Sequence, residues 1–410
     1  MAKKTIDIHN YDGRVRREKE LLSASALCAD DKELILEYCR ALFLAGVSKP
    51  RLEKEMITLR LFCRRLRSGL RGATTDGLKR IIEEIRANPD YSVHTKADYA
   101  KIVKKFYRWL EYGDKWRTIK EAPQRVAWIC GHIKKKDEPR LQRADMLTED
   151  EAHHLIDCAD SPRDKALIAI LWDTGARIGE IGSLHVGSIT FAEAGTYIDM
   201  NGKTGQRTPF VIECTQHLLG WLKVHPQRDT PAAPLWIASN NGTLLSGQPM
   251  TYNALVKGIQ RAFIRAGVKK HYNPHLFRHS RATWCAINGW THLEMCKFFG
   301  WTPESNMPAY YTSLVNEDVE ARMRKCYGLE NKQDQALEKR KPTSCTRCQA
   351  INTPEQRFCH RCGLALTLKA AQEAAEKRQN TDELLNELVK KPESLKDLLA
   401  VLSKHGLLKT

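Results

Sequence analysis

The sequence predicts a mainly α (α+β) protein: helical domains, one small β-hairpin sheet, a short cysteine-rich ribbon and helices at the C-terminal end. Three observations carry this. Residues 1–130 and most of 147–330 repeat apolar positions at three-to-four spacing. One stretch, 196–213, sets two strand-like runs around a Gly-Lys-Thr-Gly turn. Four of the 13 cysteines fall into two closely spaced pairs.

The first domain is expected over 1–132. "DKELILEYCRALFLAG" (31–46) has a helical apolar stripe and a Gly where a C-terminal cap belongs. "LRLFCRRLRSGL", "TDGLKRIIEEIRAN" and "HTKADYAKIVKKFYRWLEY" repeat the pattern, with breaks at "SKP" (48–50) and "NPD" (88–90), giving four or five helices. Residues 133–146, charged and without periodicity, read as a linker. A second domain is expected over 147–330. "TEDEAHHLIDCA" opens it with a Thr-x-x-Glu capping box. "PRDKALIAILWDTGARIGEIGSLH" reads as a buried helix, a Thr-Gly break and another helix. The hairpin of 196–213 follows, and 251–328 is helical again. Residues 343–366 form the cysteine-rich ribbon, and 367–410 a helical tail.

Charge narrows the partner. The 410 residues carry a net +17, and the first 140 hold 32 Lys and Arg against 20 Asp and Glu. A single-sign excess of this size favours a polyanion, and nucleic acid is the common one. "RLFCRRLRSGLRG" (60–72) and "KIVKKFYRWLEYGDKWR" (101–117) mix cations with aromatic residues, which can touch phosphates, sugars and bases. No apolar run approaches the roughly 20 residues of a membrane span, and the N-terminal stretch lacks the apolar core of a secretory signal. A cytoplasmic protein with no membrane partner is expected.

"CTRC" (345–348) and "CHRC" (359–362) form Cys-x2-Cys-x10-Cys-x2-Cys. Two-residue gaps let both thiolates of a knuckle reach one tetrahedral ion, so Cys345, Cys348, Cys359 and Cys362 are expected to hold a structural Zn²⁺. Gly363 would make the tight turn after the second knuckle, and His360 is read as exposed rather than as a ligand. Redox pairs or a disulfide staple are the alternative. The other nine cysteines read as small buried apolar residues.

Four polar stretches of the second domain stand out: "TGARIGEI" with Arg177 and Glu180, "NGKTGQR" with Lys203, "NPHLFRHSRAT" with His275 and Arg278, and "FFGWTPESNMPAYYT" with Trp301, Tyr310 and Tyr311. Each alone is commonplace, because an Arg at a helix start or a Lys in a turn is usually a solvated or salt-bridged group. Together and in this order they resemble the tyrosine recombinase family of phage integrases and chromosome-dimer resolvases. The resemblance covers about 174–328 by motif and 1–328 loosely as architecture. The trailing ribbon resembles that of some archaeal integrase-like members.

The resemblance implies a site-specific DNA recombinase that cleaves and rejoins strands through a 3′-phosphotyrosyl intermediate. Arg177 and Arg278 would hold the phosphate oxygens by forked hydrogen bonds. Lys203 would protonate the leaving 5′-oxygen, and His275 would bond the phosphate or assist proton transfer. Trp301 stands where many members have His, and an indole can donate a hydrogen bond but cannot carry a proton. Glu180 would orient the cations or make a plain helix salt bridge. The Thr-Ser-Leu that follows Tyr311 makes it the expected nucleophile, with Tyr310 as the alternative. No cofactor is expected for the strand-transfer chemistry. Double-stranded DNA and a homotetramer on two DNA sites are the expected partners, with the helical first domain as the other half of a DNA clamp. Whether accessory proteins take part is left open. The rival readings are a type IB topoisomerase-like enzyme and a non-catalytic zinc-ribbon DNA-binding protein.

Overall fold

The computed structural model describes residues 6–133, 142–202, 205–240, 243–313, 343–353 and 356–367, with positions 323 and 327 and most of 370–383. The chain divides into two compact units, one spanning Asp7–Gln142 and the other made chiefly of the residues from Arg143 onward.

The first unit is helical: α1 (Tyr11–Ser23), α2 (Ala29–Leu44), α3 (Lys49–Cys63), α4 (Thr75–Ala87) and α5 (Val93–Tyr112). Local chemistry sets their starts. Pro50 occupies the first turn of α3, and the Thr74 and Ser92 side chains accept from backbone N–H groups of α4 and α5. Their apolar stripes close on one core that includes Tyr38, Phe62, Ile81, Phe106 and Tyr107. A buried carboxylate, Glu55, is held there by the Tyr38 hydroxyl at 2.6 Å, Lys105 at 2.8 Å and Arg51 at 2.9 Å.

Two expectations shift here. The helical reading of 59–70 stops at Cys63: the chain turns at Gly69, which has φ 70°, and the Leu70 N–H is taken by the Asp31 carboxylate at 2.7 Å. The aromatic residues of the two cation-rich stretches are mostly core. Phe62, Phe106 and Tyr107 are fully buried, and Lys104 and Arg108 donate to backbone carbonyls. Arg64, Arg67, Arg71, Lys101, Lys115 and Arg117 are the cations these stretches expose, with Glu111 and Asp114 exposed among them.

The second unit runs α6 (Glu149–Asp157), α7 (Pro162–Thr174), α8 (Ile178–Gly182), β1 (Ile189–Phe191), β2 (Thr196–Ile198), β3 (Met200–Gly202), β4 (Gly205–Arg207), β5 (Phe210–Val211), α9 (Thr215–Val224), β6 (Ile237–Asn240), β7 (Thr243–Pro249), α10 (Tyr252–Ala266), α11 (Pro274–Ile287), α12 (His292–Phe299) and α13 (Met307–Ser313). The Thr148–Glu151 capping box opens α6 as the sequence suggests. The 196–213 stretch is more divided than a single hairpin. β2 joins β1 and β5 in a three-stranded antiparallel sheet, and β3 and β4 pair as a separate ribbon with Gly202 opposite Gly205. The β6–β7 hairpin was not anticipated.

α7 is buried along nearly its whole length and forms the centre of this unit. A buried ionic cluster ties α11 to it. Arg281 donates to Asp173 at 3.0 Å and to Glu213 at 3.2 Å, and Asp173 also accepts the Ile212 and Cys214 N–H groups. Among the described residues no helix is long and apolar enough to cross a membrane. The proposed C-terminal helices beyond 383, most of the 133–146 linker and most of 314–342 lie outside the described residues.

Candidate active site

The site gathers where α7 ends and α11, α12 and α13 converge. Gly175 ends α7 in the left-handed conformation at φ 54°. A Cβ there would stand 2.6 Å from the Phe299 ring and 3.1 Å from Arg281 Cβ, so both the backbone and the packing demand glycine. This turn delivers Arg177 to the position preceding α8, where its guanidinium donates to Glu180 at 2.8 Å.

Glu180 is buried and serves two arginines. Its other oxygen accepts from Arg207 Nη2, on β4, at 2.9 Å. Burial pushes this carboxyl up, but Arg207 and Arg177 outweigh it and hold it below the usual carboxylate range. Arg207 also donates to the Phe298 carbonyl, which fastens the β3–β4 ribbon to the end of α12. Gly202 lies against Glu180, the distance from an added Cβ to Oε1 being 2.6 Å. The end of β3 is thereby brought beside Glu180. Lys203, the next residue, lies outside the described residues.

Arg278 points out of α11 and is almost fully buried. It donates to the Gly175 carbonyl at 3.1 Å and the Phe299 carbonyl at 2.9 Å. Its guanidinium lies 5.2 Å from the centre of the Phe299 ring and 5.1 Å from that of Trp301. Desolvation and the neighbouring charge of Arg177 pull its pKa down to about 10. Such a guanidinium is short of negative charge. His275, in the first turn of the same helix, is lowered by desolvation and by the charges of Arg278 and Arg177.

The two tyrosines differ. Tyr311 is fully buried in a cluster with Phe299 and Met295, while Tyr310 lies at its edge. The Tyr311 ring stacks on Trp301 at 5.8 Å and 9°. Burial pushes its hydroxyl well up and the charge of Arg278 opposes that. Its hydroxyl lies 2.6 Å from Nδ1 of His279. Of the residues singled out from sequence, the structure thus brings together Arg177, Glu180, His275, Arg278, Trp301 and Tyr311. It adds Arg207 and His279. Both sit inside stretches already marked, yet only tertiary contact distinguishes them.

Away from this site, β8 (Thr343–Ser344) and β9 (Ile351–Asn352) pair, and Cys345, Cys348, Cys359 and Cys362 bring their sulfurs within 4.8 Å of one another. Sulfur pairs at 3.6 Å and 3.5 Å are far too long for disulfides and close to the edge, about 3.8 Å, of a tetrahedron with metal–sulfur bonds of about 2.3 Å. Gln349 and Gly363, each just after a knuckle, both take positive φ, at 58° and 72°. His360 is half-buried and meets Asn352 at 3.0 Å, apart from the sulfur set. Donor set and geometry are compatible with zinc.

Residues 145–317 match the Phage integrase family. Over 143 residues the chain is 27% identical to a protein named tyrosine recombinase XerC from Histophilus somni (strain 2336), covering 35% of this chain and 45% of that protein. The chain spans about half the length of the curated relatives it matches. Its fold is similar to that of the XerH site-specific recombinase bound to a palindromic difH substrate in a post-cleavage complex. That likeness has a TM-score of 0.52 at 15% identity and covers 77% of this chain and 95% of the other. It is also similar to a lambda integrase tetramer bound to a Holliday junction, with a TM-score of 0.50 at 14% identity over 70% of this chain and 85% of the other.

Proposed function

We propose, from the premise that residues 145–317 are a tyrosine recombinase domain, that the chain is a site-specific DNA recombinase. It cleaves and rejoins DNA strands through a 3′-phosphotyrosyl intermediate. One observation carries the reading: a fully buried tyrosine hydroxyl shares a site with two arginines, one of them poorly neutralised.

Arg177 and Arg278 hold the non-bridging oxygens, whose charge grows as the tyrosine attacks. Preorganised donors aimed at developing charge are a large source of acceleration. Arg278 is the more rigid half, because its carbonyl and ring contacts fix the guanidinium before DNA arrives. Tyr311 Oη attacks phosphorus, the P–O5′ bond breaks, and Lys203 supplies the proton to O5′. His275 donates a hydrogen bond to the phosphate. Trp301 contributes packing for Tyr311 and a face for Arg278. Glu180 keeps Arg177 and Arg207 in place. The phosphotyrosyl bond conserves the phosphodiester energy, so strand exchange needs no cofactor.

Double-stranded DNA is the substrate, and the exposed cations of the helical first unit support DNA contact by that unit too, with strongly salt-dependent binding. A homotetramer on two DNA sites is the working assembly, by likeness to the lambda integrase complex. The four cysteines hold one structural Zn²⁺. All of this belongs to a cytoplasmic protein.

The test uses nicked duplexes selected from a random-sequence pool by binding to Tyr311→Phe. The wild-type chain forms a covalent 3′ adduct, Tyr310→Phe retains it, and Tyr311→Phe binds without reacting. An adduct in Tyr311→Phe but not in Tyr310→Phe moves the nucleophile by one residue. No adduct with any DNA overturns the reading.

A further inference from the structure

We infer that His279 is the base that takes the Tyr311 proton during attack, a role that rests on the strand-transfer reading above. The placement is specific. His279 Nδ1 and Tyr311 Oη are 2.6 Å apart, a short hydrogen bond between a ring nitrogen and the reacting oxygen itself. The tyrosine cannot easily turn away. Its ring stacks on Trp301, meets the Tyr310 ring edge-on at 5.4 Å, and packs against the His279 ring at 5.9 Å. Among the described residues, His279 is the titratable partner in hydrogen-bond contact with that hydroxyl.

Three other groups could be asked to take the proton. Trp301 has no basic nitrogen. Arg278 is a cation and faces the Gly175 and Phe299 carbonyls. His275 is one helical turn before His279, with ring centres 6.3 Å apart, and it senses Arg177 and Arg278, which puts it on the phosphate side. The two histidines divide the work by position, His275 toward phosphate and His279 toward the nucleophile.

The protonation state suits an acceptor. Burial, then His275 and Arg278, depress His279 to about 4, so the ring is neutral at neutral pH and Nδ1 can offer its lone pair with Nε2 protonated. A bound phosphodiester adds a negative charge beside Arg278 and His275. That offsets part of the depression and strengthens the base when the substrate is present. The step balances: Oη–H breaks as Oη–P forms, and the proton moves to His279 Nδ1. P–O5′ breaks, and O5′ takes a separate proton from the Lys203 side. Religation runs this in reverse, with His279 returning its proton to Oη.

The experiment measures single-turnover adduct formation on the selected nicked duplexes, with either oxygen or sulfur at the scissile 5′-bridging position. A sulfur leaving group needs no proton, so it relieves defects on the leaving-group side only. His279→Asn, which keeps an acceptor but cannot take a proton, should lose about 10²-fold or more in adduct rate with DNA affinity unchanged. The loss should persist with sulfur, whereas that of Lys203→Ala should be relieved. His279→Gln serves as a second variant if the first does not fold. A rate within a few-fold of wild type, or relief by sulfur equal to that of Lys203→Ala, overturns the inference and leaves the recombinase reading intact. Absence of any wild-type adduct overturns both.

Discussion

Gly202 and Glu180 are in such close approach that a methyl group on Gly202 would stand 2.6 Å from the Glu180 carboxylate. A carboxylate end can usually swing aside. This one is fixed by the Arg177 backbone and guanidinium and by Arg207. Gly202→Ala must therefore displace either the ribbon or the arginine it faces. A shift of about 1 Å in a catalytic group can cost about 10²-fold in rate. Gly202→Ala should lose about that much adduct formation and keep its DNA affinity and melting temperature, as gel assays and calorimetry would register.

The two clamp arginines should fail differently. Arg177 is partly exposed and its guanidinium donates to Glu180, whereas Arg278 satisfies two buried carbonyls. Arg177→Ala should lower cleavage by about 10²–10³-fold with little change in melting. Arg278→Ala should lower cleavage at least as much and also destabilise the fold, since each orphaned buried acceptor costs about 1–3 kcal/mol. Equal melting temperatures for the two variants would contradict this structural role of Arg278.

One turn beyond Arg278, Arg281 carries the same logic into the core. It pairs with Asp173 and Glu213 and lies 4.2 Å from the centre of the Trp284 ring. Asp173→Ala leaves the buried guanidinium with Glu213 in place of two carboxylates and strands two backbone N–H groups, and should destabilise by about 3–5 kcal/mol. Arg281→Met, a similar apolar volume, should cost less than Asp173→Ala because Asp173 keeps its backbone donors. Denaturant unfolding of both variants gives the comparison.

What the sequence disclosed follows the range of the interactions. Arg177 with Glu180, and His275 with Arg278, are spaced within one helical turn, so their company is visible in the chain. Lys203 was marked by its Gly-Lys-Thr-Gly turn. The contributions of Arg207 and His279 depend on contacts 27 and 32 residues away, which no local pattern reports. Phe106 and Tyr107 look available to nucleic acid because cations surround them, but the helix turns those rings into the core, and Lys104, Lys105 and Arg108 beside them are held by backbone carbonyls and Glu55. The β6–β7 hairpin did leave a signal, since Asn241-Gly242 is a strong hairpin dipeptide. Its flanks are too polar to read as buried strands.

The ribbon should depend on metal and do so locally. A stretch this short has little core of its own, and metal affinity in small zinc peptides, about 10–16 kcal/mol, is folding free energy. The purified chain should carry one zinc per molecule by elemental analysis. Chelation or Cys345→Ser should expose 343–367 to protease while the melting of the catalytic domain stays unchanged. A ribbon that resists protease without metal would contradict this.

Acid should weaken the catalytic domain earlier than carboxylates alone would. His217 and His279 are both held at about 4, chiefly by burial, against an ordinary value of 6.5. Between those values the unfolded chain binds a proton at each histidine and the folded chain does not, so folding is fully supported above pH 6.5 and loses ground as pH falls toward 4. The denaturant midpoint should therefore drop across this window, and His217→Gln should flatten the drop. Bound DNA separates the two histidines. Its phosphate lies near His279 in the proposed complex, whereas the charges His217 senses are those of Lys165, Asp157 and His153, so DNA should reduce the His279 share and leave the His217 share in place. The measurement is the midpoint against pH for wild type, His217→Gln and His279→Asn, each with and without the selected duplex. A DNA effect on the slope that survives in His279→Asn would show that the phosphate acts through some other group.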